Sequence, residues 1–347
     1  MHSPSRRALL RSSGILVAGT ALASTTGSII AQGDATATPA ASPAASPASS
    51  DGTWTFTDDR GVTVTLPQRP ERIFADLSAA APLWDFGIRP LAVTGWTVTT
   101  DAAWGNVDRS TPNILDNAES GMPNLEKLIA LKPDIYVNIT WSKGDPTNVW
   151  GFPDAEAIAR VEEIVPMVCI AATGLADESM ERFAELSALL GADLNAPEIV
   201  AAKEAYDAAV ETFSTTASEK ADLTSLFAYV SPDPAWYAAS PRDWADLAWY
   251  QKLGMTIVEP EAEPGAYWQE LSKEQALLYP SDIFFNSTRD GVLSPDDLKS
   301  ETTFANHPAI AAGQIGAWNQ DFIMSYQGLT AALETMIGVL SSAQKVS

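Results

Sequence analysis

Two glutamates at matching places in a repeated pattern are the first residues of this chain that could do chemistry. Residues 123–140 read PNLEKLIALKPDIYVNIT and residues 270–288 read ELSKEQALLYPSDIFFNST. Glu274 therefore answers Glu126, Asp282 answers Asp134, Asn286 answers Asn138, and Pro280 lies near Pro133. A carboxylate pair across a cleft is the acid and base of a glycosidase. Here each glutamate falls in the opening turn of a helix beside a polar cap candidate, Asn124 or Ser272. Such helix starts are expected away from the carboxyl ends of the strands, where ligands of an open α/β sheet bind. The chain carries no G-x-S-x-G, G-x-G-x-x-G or P-loop pattern. Its one cysteine, Cys169, lies in the apolar run 167–170 and reads as a small hydrophobe. With only His2 and His307, a multi-histidine metal site and a zincin motif are excluded. The chain is expected not to be an enzyme and to hold no intrinsic cofactor or metal.

Aromatic side chains and two arginines are the other candidates. Residues just beyond strand-like runs are Trp96, Trp104 and Trp141 in the first half of the chain. In the second half they are Trp236, Tyr237, Arg242, Tyr267, Trp268, Arg289 and Tyr326. These would form two facing aromatic walls. The guanidinium forks suit flat anionic groups, and Trp268, Trp236 and Trp96 stand out because they neighbour Pro, Gly or polar residues.

Each repeat couples a short helix to a run apolar on both faces, 135–137 or 283–285, which reads as a buried parallel strand. Further strands are expected at 73–75, 91–94, 167–170, 226–230, 255–258 and 315–318, after a hairpin over 54–66. Helices are expected at 80–86, 125–131, 154–164, 178–190 and 328–340. A long helix over 197–220, with Pro197 in its first turn after an Asn195 cap and no internal Gly or Pro, would span roughly 35 Å. The fold class is therefore α/β, two Rossmann-like lobes (53–195 and 221–347) joined by one long helix (196–220), with a ligand cleft between them.

Residues 1–31 have the order of an export signal: Arg6 and Arg7, the apolar run 14–23, then Ala21-Leu22-Ala23. They resemble the twin-arginine class. No lipoprotein cysteine follows, so the protein is expected to be exported without a lipid anchor, either released or held by an uncleaved signal. Residues 32–52 are an Ala/Ser/Pro-rich linker. Residues 51–347 carry 18 basic and 43 acidic side chains, a net of −25, which excludes nucleic acid as a partner.

The motifs, in their order and spacing, resemble the class III, helix-linked substrate-binding proteins of ABC importers for ferric siderophores, haem and cobalamin. The resemblance runs from Phe56-Thr57-Asp58-Asp59-Arg60-Gly61 and residues 66–73, through 124–135 and 271–275, to His307-Pro308-Ala309-Ile310-Ala311-Ala312-Gly313. It implies an exported monomer that captures a metal chelate, first among them a ferric siderophore, and delivers it to a permease. It also implies that Glu126 and Glu274 dock onto basic residues of that permease and that Trp268 lines the pocket. Arg242 and Arg289 would meet carboxylate, hydroxamate or catecholate oxygens. Tyr237, Tyr267 or Tyr326 could instead ligate haem iron. A surface scaffold protein without a ligand is the remaining class.

Overall fold

The computed structural model describes residues 52–115 and 122–347. The expected export segment, and all but the last residue of the expected linker, lie outside the described residues.

β1 (Trp54–Thr57) and β2 (Thr63–Leu66) pair antiparallel, with Trp54, Phe56 and Val64 buried. This alternation is what a sheet with one dry face requires. The hairpin is anchored by its turn. Asp58 accepts from the Arg60 guanidinium at 2.8 Å and from Cys169 N at 2.9 Å, which ties the hairpin to the first large sheet.

That sheet contains β3 (Ile73–Asp76), β4 (Ala92–Thr94), β5 (Asn113–Ile114), β6 (Ile135–Thr140) and β7 (Met167–Ala171), in the order β5-β4-β3-β6-β7, all parallel. β3, β4, β6 and β7 are buried along their whole length, as strands covered on both faces must be. α1 (Leu77–Asp85), α2 (Leu125–Leu131), α3 (Ala155–Glu162) and α4 (Ala176–Leu189) accompany it.

α5 (Pro197–Glu219) leads to the second lobe. Pro197 opens it at N1, but the cap is Ala196, without a side-chain bond, rather than the expected Asn195. Its buried face, Ile199, Tyr206, Ala209, Phe213 and Ala217, packs on α9 (Tyr326–Ser342).

The second sheet contains β8 (Ser225–Val230), β9 (Ala235–Ala239), β10 (Trp268–Ser272), β11 (Ile283–Ser287) and β12 (Ile315–Trp318), in the order β10-β9-β8-β11-β12. β8, β11 and β12 are parallel, whereas β9 is antiparallel to both its neighbours. α6 (Ala245–Lys252), α7 (Pro295–Ser300) and α8 (Pro308–Ala311) complete the lobe.

The repeat has a structural meaning. Asp134 accepts from Glu71 N and Arg72 N, both at 2.9 Å, just before β3. Asp282 accepts from Thr224 N at 2.8 Å, just before β8. Asn138 and Asn286 each donate to a carbonyl of the loop leaving their strand, Trp150 O at 3.0 Å and Leu293 O at 2.9 Å. Each motif thus fastens the entry of the central strand and the exit of its neighbour.

Three expectations are corrected. The second repeat forms only a 3-10 turn, Lys273–Gln275, where the first forms α2. Pro280 comes one residue sooner after its cap than Pro133 does, and a residue before proline is pushed out of the α region. Residues 255–258 make a single bridge, Ile257 to Ser225, before Pro260 ends the run. β9, β10 and α6 were not expected, because 235–239 and 268–272 read as loop.

Candidate ligand cleft

In both lobes the strand order reverses at the central strand, between β3 and β6 and between β8 and β11. The carboxyl ends of these strands are where an open α/β sheet leaves a crevice. Asp76 ends β3, Gly95 and Trp96 follow β4, and Trp141 follows β6. Opposite them, Arg289 follows β11 and residues 319–321 follow β12.

Asp76 caps α1, accepting from Ser78 N at 2.9 Å. A Cβ at position 95 would come within 2.5 Å of its Oδ2, and Gly95 has φ +129°, so only glycine lets the β4 turn approach this carboxylate. Burial pushes the Asp76 carboxyl up to about 7, and Asp321 of the other lobe adds to the rise. Trp96 is the most exposed tryptophan at this end, at 41%.

Aromatic rings cross the lobe boundary. Trp141 stands edge-on to Trp150 (5.8 Å between centroids) and, in the other lobe, to Trp244 (5.8 Å) and Tyr267 (5.5 Å). The Tyr267 hydroxyl donates to the Trp141 carbonyl at 3.1 Å. Tyr267 reaches it from a left-handed backbone, φ 62°, an uncommon conformation for a bulky residue. Burial pushes its phenol up to about 12. Trp244 is the hub, 5.0 Å from Trp268 and 5.2 Å from Trp318, and its Nε1 donates to Tyr267 O at 2.9 Å. The half-buried Trp268 then continues to Tyr237 (6.3 Å) and Tyr229 (6.5 Å). Edge-to-face geometry dominates, which orients each ring as well as burying it.

Charged groups lie around this wall. Arg289 grips Asp321 with two bonds, Nε to Oδ2 at 2.7 Å and Nη2 to Oδ1 at 2.5 Å. Arg242 donates to Ala262 O and lies 3.7 Å from Asp243. Asp246, fully buried on α6, accepts from Trp318 Nε1 at 2.7 Å, and burial pushes its carboxyl up to about 7.

Four candidates stand elsewhere than a cleft reading requires or differ in role. Trp104 is core: its Nε1 donates to Val98 O at 3.0 Å and Arg109 lies over its ring. Trp236 is fully buried on the far face of β9, 5.5 Å from Phe304, with Nε1 bonded to Ser272 O. The alternation of a strand sends Trp236 to one face and Tyr237 to the other. Tyr326 packs on Phe86 (5.4 Å) and Tyr206 (5.6 Å) at the helical junction of the lobes. Arg289 is at the strand end as expected, but already paired. Sequence reasoning missed Trp244, Tyr229, Asp76, Asp246 and Asp321. The strand-end rule that selected Trp96 also covers Asp76, the residue directly after the run 73–75.

The remaining reactive groups are structural. Burial pushes the Cys169 thiol up, away from the reactive thiolate. Buried His307 donates Nε2–H to Tyr279 O at 2.9 Å, and desolvation lowers its pKa. Among the described residues no group of three or more His, Cys, Asp or Glu side chains could hold a metal ion.

The family model described as periplasmic binding protein matches residues 87–322. The chain belongs to the periplasmic binding protein family. The crystal structure of DesE, a ferric-siderophore receptor protein from Streptomyces coelicolor, is 30% identical, with a TM-score of 0.77 over 85% of this chain and 100% of DesE. The siderophore periplasmic binding protein from the fuscachelin gene cluster of Thermobifida fusca is 20% identical, with a TM-score of 0.57 over 78% and 96% of the two chains. The catecholate-siderophore binding protein VctP from Vibrio cholerae is 17% identical, with a TM-score of 0.58 over 84% and 99%. A comparison with curated proteins found no match.

In this binding protein Glu126 and Glu274 are both exposed, each in the first turn of its helix. Their expected place, away from the strand ends, is corrected. Ser272 pairs with Ala235, level with the carboxyl end of β8, and Glu274 follows directly. α2 runs back toward the start of β6, so its first turn with Glu126 lies toward the carboxyl end of that sheet. The Ser272 hydroxyl lowers the Glu274 pKa, the opposite of what a general acid needs. Each glutamate is followed by exposed apolar side chains: Ile129 in one lobe, Leu277 and Leu278 in the other.

Proposed function

We propose that this binding protein captures a ferric siderophore between its lobes and presents it to the permease of an ABC importer. The observation that carries the reading is the aromatic wall through Trp141, Trp244, Tyr267 and Trp268, which starts just beyond the carboxyl end of β6 and crosses from lobe to lobe. Rigid rings supply contact area for a bulky chelate at small entropic cost. The likeness to DesE along its whole length supports the same ligand class.

Delivery rests on Glu126 and Glu274. Exposed carboxylates at equivalent corners of the two lobes, each beside exposed apolar side chains, suit two basic docking sites on a permease. The segment 1–31 supports export by the twin-arginine route to the outer face of the cytoplasmic membrane, without a cysteine anchor. Haem is less well served. A tyrosine ligand must ionise, and burial raises the phenols of both Tyr267 and Tyr326.

Quenching of intrinsic tryptophan fluorescence tests the reading, with ferric siderophores, haem and cobalamin as titrants. A saturable one-to-one response to a ferric chelate is expected. A response to haem or cobalamin alone would overturn it.

A further inference from the structure

The second repeat departs from the first at the residue before its glutamate. Leu125, which precedes Glu126, is an apolar side chain packed against the core of its lobe. Lys273, which precedes Glu274, is a lysine whose side chain is only 15% exposed. An ammonium is held that far out of water only where it finds partners. Lys273 Nζ lies 3.1 Å from Oε2 of Glu301, the residue that ends α7, and it donates to Pro232 O at 3.3 Å, in the turn between β8 and β9. Its backbone N–H donates to Pro234 O at 3.1 Å.

The two glutamates are supported differently. Glu126 is carried by the seven residues of α2, whose start is fixed by the Asn124 side chain on Lys127 N at 3.0 Å and by Leu128 N on Asn124 O at 2.9 Å. Arg72 closes the other end by donating to Leu131 O and Lys132 O. Glu274 sits in a three-residue 3-10 turn, whose local bonds are the Ser272–Gln275 capping box and Ala276 N on Lys273 O at 3.1 Å. So short a turn makes too few bonds of its own to hold one side-chain direction. Ties to distant segments take over. Trp236 Nε1 donates to Ser272 O at 3.0 Å before the turn, Ala276 is buried after it, and His307 Nε2 donates to Tyr279 O at 2.9 Å further on. Lys273 is the tie that belongs to the turn itself, and it reaches two other segments at once.

We infer that Lys273, gripped by Glu301 and Pro232 O, is a positioning residue for Glu274. It holds the short turn in the orientation a permease meets, work that α2 does for Glu126. The inference rests on the docking role proposed above. A contact ordered in advance avoids the entropy of ordering it on association. The sign of the effect separates this role from one of charge. Lys273 is a cation beside a carboxylate meant for basic sites, so by charge alone its removal would tighten docking. Removal of a strut weakens it.

The test is equilibrium binding of the purified protein to right-side-out membrane vesicles from cells that lack its gene and make the permease. Lys273→Met should raise the half-saturating concentration about tenfold and leave the saturating level unchanged, the size expected when a turn and its side chains must be ordered on binding. Glu301→Gln should act in the same direction, and Lys273→Arg, which keeps the ion pair, should restore binding close to wild type. Circular dichroism confirms that the variants are folded. The double reversal Glu126→Lys with Glu274→Lys is the control for docking itself. If that control abolishes binding while Lys273→Met leaves it unchanged or tighter, the inference is overturned and the docking role stands. Binding that survives the double reversal overturns the docking role.

Discussion

Replacing Asp246 with Asn should make the protein more stable at pH 8 and change nothing at acid pH. The side chain is fully buried, makes one side-chain hydrogen bond, to Trp318 Nε1 at 2.7 Å, and titrates near 7 instead of its ordinary 3.8. Its folded pKa lies above the unfolded one. The associated stability is therefore fully present below about pH 4 and is lost as pH rises through about 7. At 1.36 kcal/mol per unit, the whole loss is roughly 4 kcal/mol, of which more than half falls between pH 5 and 8. Asparagine keeps an acceptor for the indole and carries no charge to desolvate. In a chain of this size 1 kcal/mol moves Tm by roughly 2 °C. Thermal denaturation at half-unit steps from pH 5 to 8 should show the Tm of Asp246→Asn rising relative to wild type by about 5 °C across the range. Two parallel Tm curves would refute the reasoning, since they would mean that Asp246 is hydrated or paired when folded.

Other outcomes follow from the same geometry. Trp268→Ala should weaken ferric chelate binding about 30-fold while the fold is kept, because a half-buried ring of the wall is lost; Trp236→Ala should cost more stability, about 3–5 kcal/mol measured by denaturant unfolding, because that indole is fully buried in the core. Charge reversal at both Glu126 and Glu274 should abolish uptake in cells and leave the dissociation constant of the isolated protein at its wild-type value; a parallel loss of binding would place these acids in the pocket. Ligand binding should leave the radius of gyration from small-angle scattering unchanged within error. α5 has neither Gly nor internal Pro, and the lobes already touch through Tyr267–Trp141, Lys252–Asp177 and Ser325–Asp85. Adjustment should be confined to segments outside the sheets such as residues 97–112, 231–234 and 240–243, and a clear contraction would show that the helix is not a continuous spine.

Much of the architecture was legible without a structure, because it rests on short-range rules. Runs apolar on both faces marked β3, β6, β8, β11 and β12, and Pro197 together with an unbroken run of helix formers marked α5 within a residue of its ends. The repeat was visible because Asp134 and Asp282, and Asn138 and Asn286, do the same backbone work in each lobe.

What only the tertiary structure decided are the pairings between distant residues. β9 and β10 are strands because they find each other: 268–272 has a weak apolar pattern and becomes ordered by bonding to 235–239. That pairing sets the register, and the register sent Trp236 into the core and Tyr237 toward Trp268. Trp244 has no signal of its own in the sequence, and its place is set by the four remote rings that converge on it. Arg289 illustrates the limit most plainly. Its position after a buried strand follows from local sequence, but whether its charge is free for a ligand depends on Asp321, which reaches it only through the parallel pairing of β11 with β12. Spacing along a chain sets which side chains a strand end presents, and the packing of other strands beside it sets which of them remain unsatisfied.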